Sequence, residues 1–597
     1  MELGASDRVQ EDKLARYFSW DPLKDARFSG SVVGEGHIGG KGRSLLFGMK
    51  VLRDSGDEEL ASVEMPESIF ISVEVFEEFL EQIKNLNDII KSDPDEIEKV
   101  FLAYELPPYV RQRLASFLSE VNFPVAVRSS SLLEDSLKYS FAGKYRSRLL
   151  HAEGDLARRT LLVENEIKRI YARTFFPTAV EYRCKHGLGE DKMGIILMRA
   201  AGEWRGRYYF PTTAGVGYSL NLRRWSTRLK AEDGLIRLVF GLGTMSTRRG
   251  YARIFSLTNP CLRPEGYNPY NVMRHAQECF QMIDGIKGDV VTYNINDPGV
   301  LDYLWKYYGK ELGEYVQVYR EEDEKGYWEN LDLTYSKYNV DDTSKVCITF
   351  ERFTKHNYDF FKRMRKLLGC LEHSIGAPVD VEFAYEPKAK KLELLQARPL
   401  WVESQTVNLD DANLIGKKII LKADRMVTDG QAKGIPYLVY VDHKIYVTAT
   451  NKYEIARIIG EINKKLGPNQ YILVAPGRVG SSNPALGVPI QYNELTNCKC
   501  IVEVGIPTLG FMPELSYGTH FYSDLEVDNV LYMPVFAGEK DNVFNEDWFE
   551  STPCERLPGL GIRIYKGNFD VYMSCAKNVG VVVAGEDERN GKDMDNR

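Results

Sequence analysis

Apolar and polar positions change period along the chain in a way that predicts alternating helices and strands. Over residues 31–79 a glycine-rich turn, a helical stretch at 44–53 and an apolar strand at 68–72 follow one another, the signature of mixed α/β layers. Leu161, Leu162, Ile167, Ile170, Tyr171 and Phe175 recur at helical spacing, and Pro177 then predicts one helix ending near Phe176 and another starting just after it. Strand-like runs follow at 193–199 and 207–211. Residues 353–375 read as a helix closed by Gly376 and Pro378. Beyond it, 379–385 and 391–397 alternate apolar and polar residues around a turn at 387–390, which predicts a β-hairpin.

The composition shifts after Trp401 through the polar run 403–411, placing a domain boundary there. A second unit is then expected, with strands at 435–441, 444–447 and 471–474 and a helix at 452–466. The resulting division is an N-terminal arm over 1–30, a main domain over 31–402, a smaller α/β domain over 412–584 and a disordered tail over 585–597, where apolar residues almost vanish. The fold class is α/β, or α+β. With 597 residues, 44% of them apolar, two to four units of roughly 100–200 residues each can bury cores.

Charge and cysteine content narrow the partners. The formal net charge is -8 with both signs interspersed, which disfavours a nucleic-acid partner that needs a basic footprint. Arg223, Arg224, Trp225 and Arg228 form a local basic aromatic cluster, read more simply as loop decoration. No apolar stretch approaches the roughly 20 residues that span a bilayer, and the acidic start lacks a signal peptide's pattern. A cytoplasmic protein without a membrane partner is expected. The nine cysteines are scattered, and Cys498 and Cys500 stand at the wrong gap for a zinc or thioredoxin motif, so reduced thiols are expected.

Three segments could carry chemistry. Gly39-Gly40-Lys41-Gly42 precedes a predicted helix, so its amides, the helix N-terminus and the Lys41 ammonium suit a phosphate. A surface turn that happens to hold a lysine is the simpler alternative. The strand Val125-Ala126-Val127 runs into Arg128-Ser129-Ser130-Ser131, with Glu134-Asp135-Ser136 and then Ser140-Phe141-Ala142-Gly143 beyond it. It offers a guanidinium and hydroxyls to a phosphoryl group, or else forms an ordinary loop. In the hairpin, Asp380 and Glu382 share one face, and Gln396 and Arg398 share a face on the other strand. Such oxygens suit Mg²⁺ completed by nucleotide phosphates; a plain exposed Asp–Arg or Glu–Arg pair is the alternative.

In the order GGKGRSL, AVRSSSLLEDSLKYSFAG and DVEF…LQARPL, these segments resemble the ATP-grasp domain of the phosphoenolpyruvate synthase and pyruvate, phosphate dikinase family, over roughly the first two thirds of the chain. The resemblance implies an ATP-grasp-type nucleotide-binding domain, ATP and Mg²⁺ as cofactors, and an ATP-dependent phosphotransferase activity. Residue by residue, it implies that Lys41 and Arg128 contact ATP phosphates along with Gly40, Ser140 and Gly143. Glu382 and Gln396, with Asp380, hold Mg²⁺, and Arg398 stabilises the group in transfer. Ser68, Met198 and Phe383 depart from the family's usual glycine, glutamine and tryptophan.

The family's usual ending is missing from the rest of the chain. The Gly-Thr-Ser-His signature of its swivelling domain is absent, and fewer than 200 residues follow Trp401, too few for a TIM barrel of about 250. Residues 475–484 and 514–521 combine glycines with Arg, Ser, Thr or His, as anion-binding loops do. His520 follows Gly518-Thr519 and is expected either to accept the phosphoryl group or to serve as a structural histidine. The acceptor, a small molecule or a protein, and the oligomeric state are not legible. A non-catalytic ATP-sensing regulator or scaffold is the alternative function.

Overall fold

The computed structural model describes residues 5–585 apart from 122, 135–144, 146, 152, 186–187, 222–227, 246–251, 265–266, 323–324, 335–336, 342, 401–416, 429, 482, 492–493, 507–529 and 575–576. Backbone contacts divide the chain into two units, Met1–Asn221 with Glu232–Trp401, and Leu222–Ala231 with Val402–Arg597. The expected disordered tail lies outside the described residues apart from Gly585. No described helix is long and apolar enough to cross a membrane.

Two sheets organise the first unit. The first has the order β1-β2-β5-β3-β4, formed by β1 (Val32–Val33), β2 (Ser68–Ile71), β3 (Val125–Ser131), β4 (Ser147–Leu150) and β5 (Met193–Arg199). The second, entirely antiparallel, has the order β8-β7-β6-β9-β10, from β6 (Thr213–Tyr218), β7 (Leu235–Phe240), β8 (Arg253–Ser256), β9 (Val379–Glu386) and β10 (Lys391–Pro399). Strands β9 and β10 are the predicted hairpin; Val381 and Phe383 alternate into the core, and a register shift on the β10 side lets both Leu394 and Ala397 join them there.

Helix α1 (Gly39–Asp54) packs on this hairpin. It buries Leu45, Leu46, Met49 and Leu52 completely, each contributing about 1.5–3 kcal/mol through burial. Gly48 sets the approach: a Cβ there would lie 3.3 Å from the Ala397 Cβ. Helix α2 (Tyr358–Ile375) covers the same core with Phe361, Met364, Leu367, Leu368 and Leu371, and ends on Gly376 at φ +85°. The helix predicted over 353–375 is in fact two, since Glu351–His356 and Tyr358–Ile375 break at Asn357. The helix predicted over 44–53 is longer at its start and takes in the whole glycine motif.

The second unit is built on one nine-stranded sheet. Strands β11 (Lys418–Ala423), β12 (Gly430–Val441), β13 (Tyr471–Pro476), β14 (Cys498–Gly505), β15 (Leu531–Phe536), β16 (Val543–Phe544), β17 (Ile562–Ser574) and β18 (Val579–Ala584) run in the order β15-β14-β13-β12-β17-β18-β11-β16, and Glu555–Leu557 also pairs with β17. Strands β12 to β15 are mutually parallel, as crossover connections require. Residues 444–447, expected as a strand, instead lie in the short helix His443–Thr448, whose start is capped by Asp442 accepting from the Lys444 amide at 2.9 Å.

Gly48→Val is expected to destabilise the first unit by about 1–3 kcal/mol, the usual result of overpacking, measured as a fall in the urea midpoint. A wild-type midpoint would show that α1 does not depend on this close approach.

Candidate nucleotide site

Strand β3 ends beside the start of α1. Gly39 has φ +75°, and a Cβ there would fall 1.6 Å from the Ser130 carbonyl oxygen, so only glycine fits. Ser130 caps the helix from the neighbouring strand: its Oγ accepts from the Gly42 amide at 2.9 Å and donates to the Ile38 carbonyl at 2.7 Å. The middle serine of the run is therefore a helix cap, and one amide of the glycine motif is already bonded. Gly40 is buried in the same first turn.

Lys41 lies in that turn and reaches back to β3. Its Nζ donates to Glu134 Oε1 at 2.7 Å and to Ser129 Oγ at 3.2 Å. Glu134 is only 4% exposed and is held by the Ser131 amide at 2.9 Å and the Ser129 hydroxyl at 3.2 Å. Sequence reasoning passed over Glu134 as a site residue, although a carboxylate five residues beyond Ser129 in a turn was a visible signal.

Arg128 crosses from the first sheet to the second. Its Nη1 donates to the Leu395 carbonyl at 2.8 Å, and its Nη2 donates to Glu382 Oε2 at 2.8 Å and to Gln396 Oε1. The strand register places Glu382 opposite Gln396 and Asp380 opposite Arg398, and a register shift between Glu382 and Phe383 leaves Leu395 as an extra residue whose carbonyl meets the guanidinium. Arg398 grips Asp380 with two nitrogens, Nε at 2.7 Å and Nη2 at 2.6 Å.

The two carboxylates of the hairpin differ in their surroundings. The Glu382 side chain is 41% exposed, whereas that of Asp380 is 4% exposed beneath Arg398. Burial works to raise the Glu382 carboxyl, but the charges of Arg128, Arg398 and Lys41 outweigh it and hold the group below its ordinary value of 4.5. Burial pushes the Asp380 carboxyl up despite Arg398, and the nearby Glu382 charge adds to the rise. All three cations thus act on one solvent-accessible carboxylate.

The structure brings together Gly40, Lys41, Arg128, Asp380, Glu382, Gln396 and Arg398. Ser140, Gly143 and His520 lie outside the described residues, as do Arg223, Arg224 and Trp225. The three departures from the family pattern involve packing positions: Ser68 pairs with Met198 across β2 and β5, Met198 is buried, and Phe383 sits in the core 5.9 Å from Phe360. In the second unit, within the 475–484 segment, residues 477–480 do not present a row of free amides to an anion. The Gly477, Arg478 and Gly480 amides donate to the Val504, Leu486 and Val488 carbonyls at 2.9–3.1 Å, and the Val479 amide donates to Glu503 at 2.8 Å.

Gly39→Ala is expected to lower stability by more than about 1 kcal/mol, read from chemical unfolding; wild-type stability would remove the claimed contact with Ser130. The depressed Glu382 carboxyl contributes stability that is full above about pH 4.5 and declines as pH falls through its folded value. Glu382→Gln should therefore differ from wild type by a constant amount above pH 5 or so and by a shrinking amount below it. A gap that widens on acidification would contradict that sign.

No curated protein matches the chain. Residues 35–248 match the family model described as the pyruvate phosphate dikinase, AMP/ATP-binding domain, a stretch that contains Lys41, Arg128 and Glu134 and stops short of the hairpin. Over this stretch the chain is similar to the AMP/ATP-binding domain of the phosphoenolpyruvate synthase and pyruvate phosphate dikinase family.

Proposed function

We propose that the chain is a cytoplasmic, Mg²⁺- and ATP-dependent phosphotransferase whose first unit is an ATP-grasp-type module over 31–402. The supporting observation is that Arg128 is bonded to Glu382 while Arg398, bonded to the neighbouring Asp380, and Lys41, bonded to Glu134, lie near enough for their charges to act on the same carboxylate. A triphosphate needs such a set of cations, and phosphoryl transfer asks the protein chiefly to position groups and offset charge.

Each residue has a distinct task in this reading. Lys41 and Gly40, in the first turn of α1, and Arg128, on β3, hold phosphate oxygens, and Ser140 and Gly143 belong to the segment that closes over them. Arg398 is kept in one orientation by its two-nitrogen grip on Asp380 and neutralises charge on the group in transfer. We therefore assign Asp380 to Arg398, and the metal to Glu382 and Gln396. These two side chains already direct an oxygen each at one cationic nitrogen of Arg128, a donor pair that fits Mg²⁺, which takes one or two carboxylates plus phosphates. A divalent cation held by Glu382 and Gln396 would supply positive charge that offsets charge developing in phosphoryl transfer. His520 is the proposed acceptor in the second unit, 412–584, from which the phosphoryl group passes to a small molecule or protein.

Arg398→Ala would leave the Asp380 carboxylate buried without its partner, so Arg398→Lys is the better probe. It keeps a positive charge beside Asp380 but loses the fork, and ATP turnover is expected to fall roughly 100- to 1,000-fold with an unchanged thermal midpoint. Undiminished ATP consumption by this folded variant would reject the assignment. Incubation with labelled ATP should also leave an acid-labile, base-stable phosphate that disappears in His520→Ala; a label retained in that variant would remove His520 from the pathway.

A further inference from the structure

In the reading above, Lys41 holds a phosphate oxygen, and its ammonium is placed by Glu134. Glu134 belongs to the turn 131–134 that follows β3, and Asp191, just before β5, ties that turn down. The Leu133 amide donates to Asp191 Oδ1 at 3.2 Å, and the Tyr145 hydroxyl donates to Asp191 Oδ2 at 2.5 Å. The Ser131 hydroxyl, which accepts from the Glu134 amide at 3.0 Å, donates to the same carboxylate. From the helix Pro177–Lys185, Arg183 Nη1 donates to the Tyr145 hydroxyl at 3.2 Å and to the Thr174 carbonyl at 3.0 Å. Arg183, Tyr145, Asp191, Ser131 and Glu134, all buried, thus form one chain of hydrogen bonds that ends on Lys41.

We propose that Asp191 is a positioning residue for the nucleotide site: by fixing the 131–134 turn it sets the place of Glu134, and through Glu134 that of the Lys41 ammonium. The inference rests on the nucleotide-site reading of the first unit and adds to it a residue that acts from behind the site.

A lysine ammonium is a point charge on a flexible four-carbon stem, so it rests where its acceptors are. Of the two acceptors named for Lys41, Ser129 is fixed by β3, whereas Glu134 moves with the turn. The bonds between Ser131 and Glu134 close the turn on itself but do not dock it. Docking comes from the Leu132 amide on the Lys192 carbonyl at 3.0 Å and from the Leu133 amide on Asp191. A carboxylate suits this post because it only accepts, and three donors meet it; an asparagine would offer one acceptor oxygen and two N–H bonds. The charge is costly to keep there: burial and the Glu134 charge push the Asp191 carboxyl above its ordinary 3.8, against the pull of Tyr145, Ser131 and Leu133. Leu133 and Tyr145 stand on either side of residues 135–144, so one carboxylate holds the chain at both flanks of that stretch.

The test uses the full-length chain and calorimetric binding of a non-hydrolysable ATP analogue in magnesium buffer, with no turnover involved. Asp191→Asn is expected to bind the analogue about tenfold more weakly than wild type, the size of effect usual within one hydrogen-bonded network. In a Lys41→Met background, which itself binds more weakly, adding Asp191→Asn should change the affinity by less than about twofold, because the group it positions is gone. Tyr145→Phe removes one donor to Asp191 and keeps the ring; it serves in both backgrounds if Asp191→Asn fails a thermal-unfolding check. Wild-type affinity in the folded Asp191 or Tyr145 variant, with binding weakened in Lys41→Met, would overturn the proposal while leaving the nucleotide site in place. So would a loss that persists undiminished in the Lys41→Met background, since the effect would then not pass through Lys41. Wild-type affinity in Lys41→Met, or failure of the analogue to bind wild type at all, would overturn the nucleotide-site reading and this inference with it.

Discussion

The contact of Arg128 with the β9–β10 hairpin is the constraint on which the first unit's site depends. It ties the central region of one sheet to an edge hairpin of another, through a carbonyl, a carboxylate and an amide oxygen. Such a contact needs the two sheets held at a defined separation, and α1 supplies it. The helix begins at the end of β3, where Ser130 caps it, and packs its middle against β10 through Gly48. Lys41 is thereby delivered to the Arg128 side of the hairpin, close enough for its charge to act on Glu382.

Period-two alternation made the hairpin legible from sequence. Once β9 and β10 are strands, Asp380 and Glu382 must share a face, but the register counted from the turn would set them opposite Ala397 and Leu395; the bulge at Leu395 is what pairs them with Arg398 and Gln396. The division of labour between the carboxylates was not legible. It arises because Asp380 is buried beneath Arg398 while Glu382 is open to solvent. The start of α1 was misplaced because four residues with three glycines have low helix propensity, and the compensating cap comes from Ser130, distant in sequence. The short helix His443–Thr448 was misread for a related reason: Ile445 and Val447 favour strands locally, whereas the Asp442 cap decides the outcome.

Local glycine content misled in the second unit. Residues 477–480 look like a loop open to an anion, yet Glu503, fully buried on β14, takes the Val479 amide and is also bonded by the Tyr532 hydroxyl at 2.7 Å. A buried carboxylate with two good donors stabilises a closed connection after β13. The first unit shows the converse at one contact: Arg128 is bonded to Glu382, whose carboxylate remains reachable by a ligand. Exposure of the acceptor, more than the presence of glycine, distinguishes the two loops.

The most direct measurement is a structure determined with Mg²⁺ and a non-hydrolysable ATP analogue bound. The triphosphate is expected to lie between the first turn of α1 and the β9–β10 hairpin, in contact with Lys41, Arg128 and Arg398, with the metal between Glu382 and Gln396. A nucleotide bound elsewhere, with Arg128 still on Glu382 and Gln396, would contradict it.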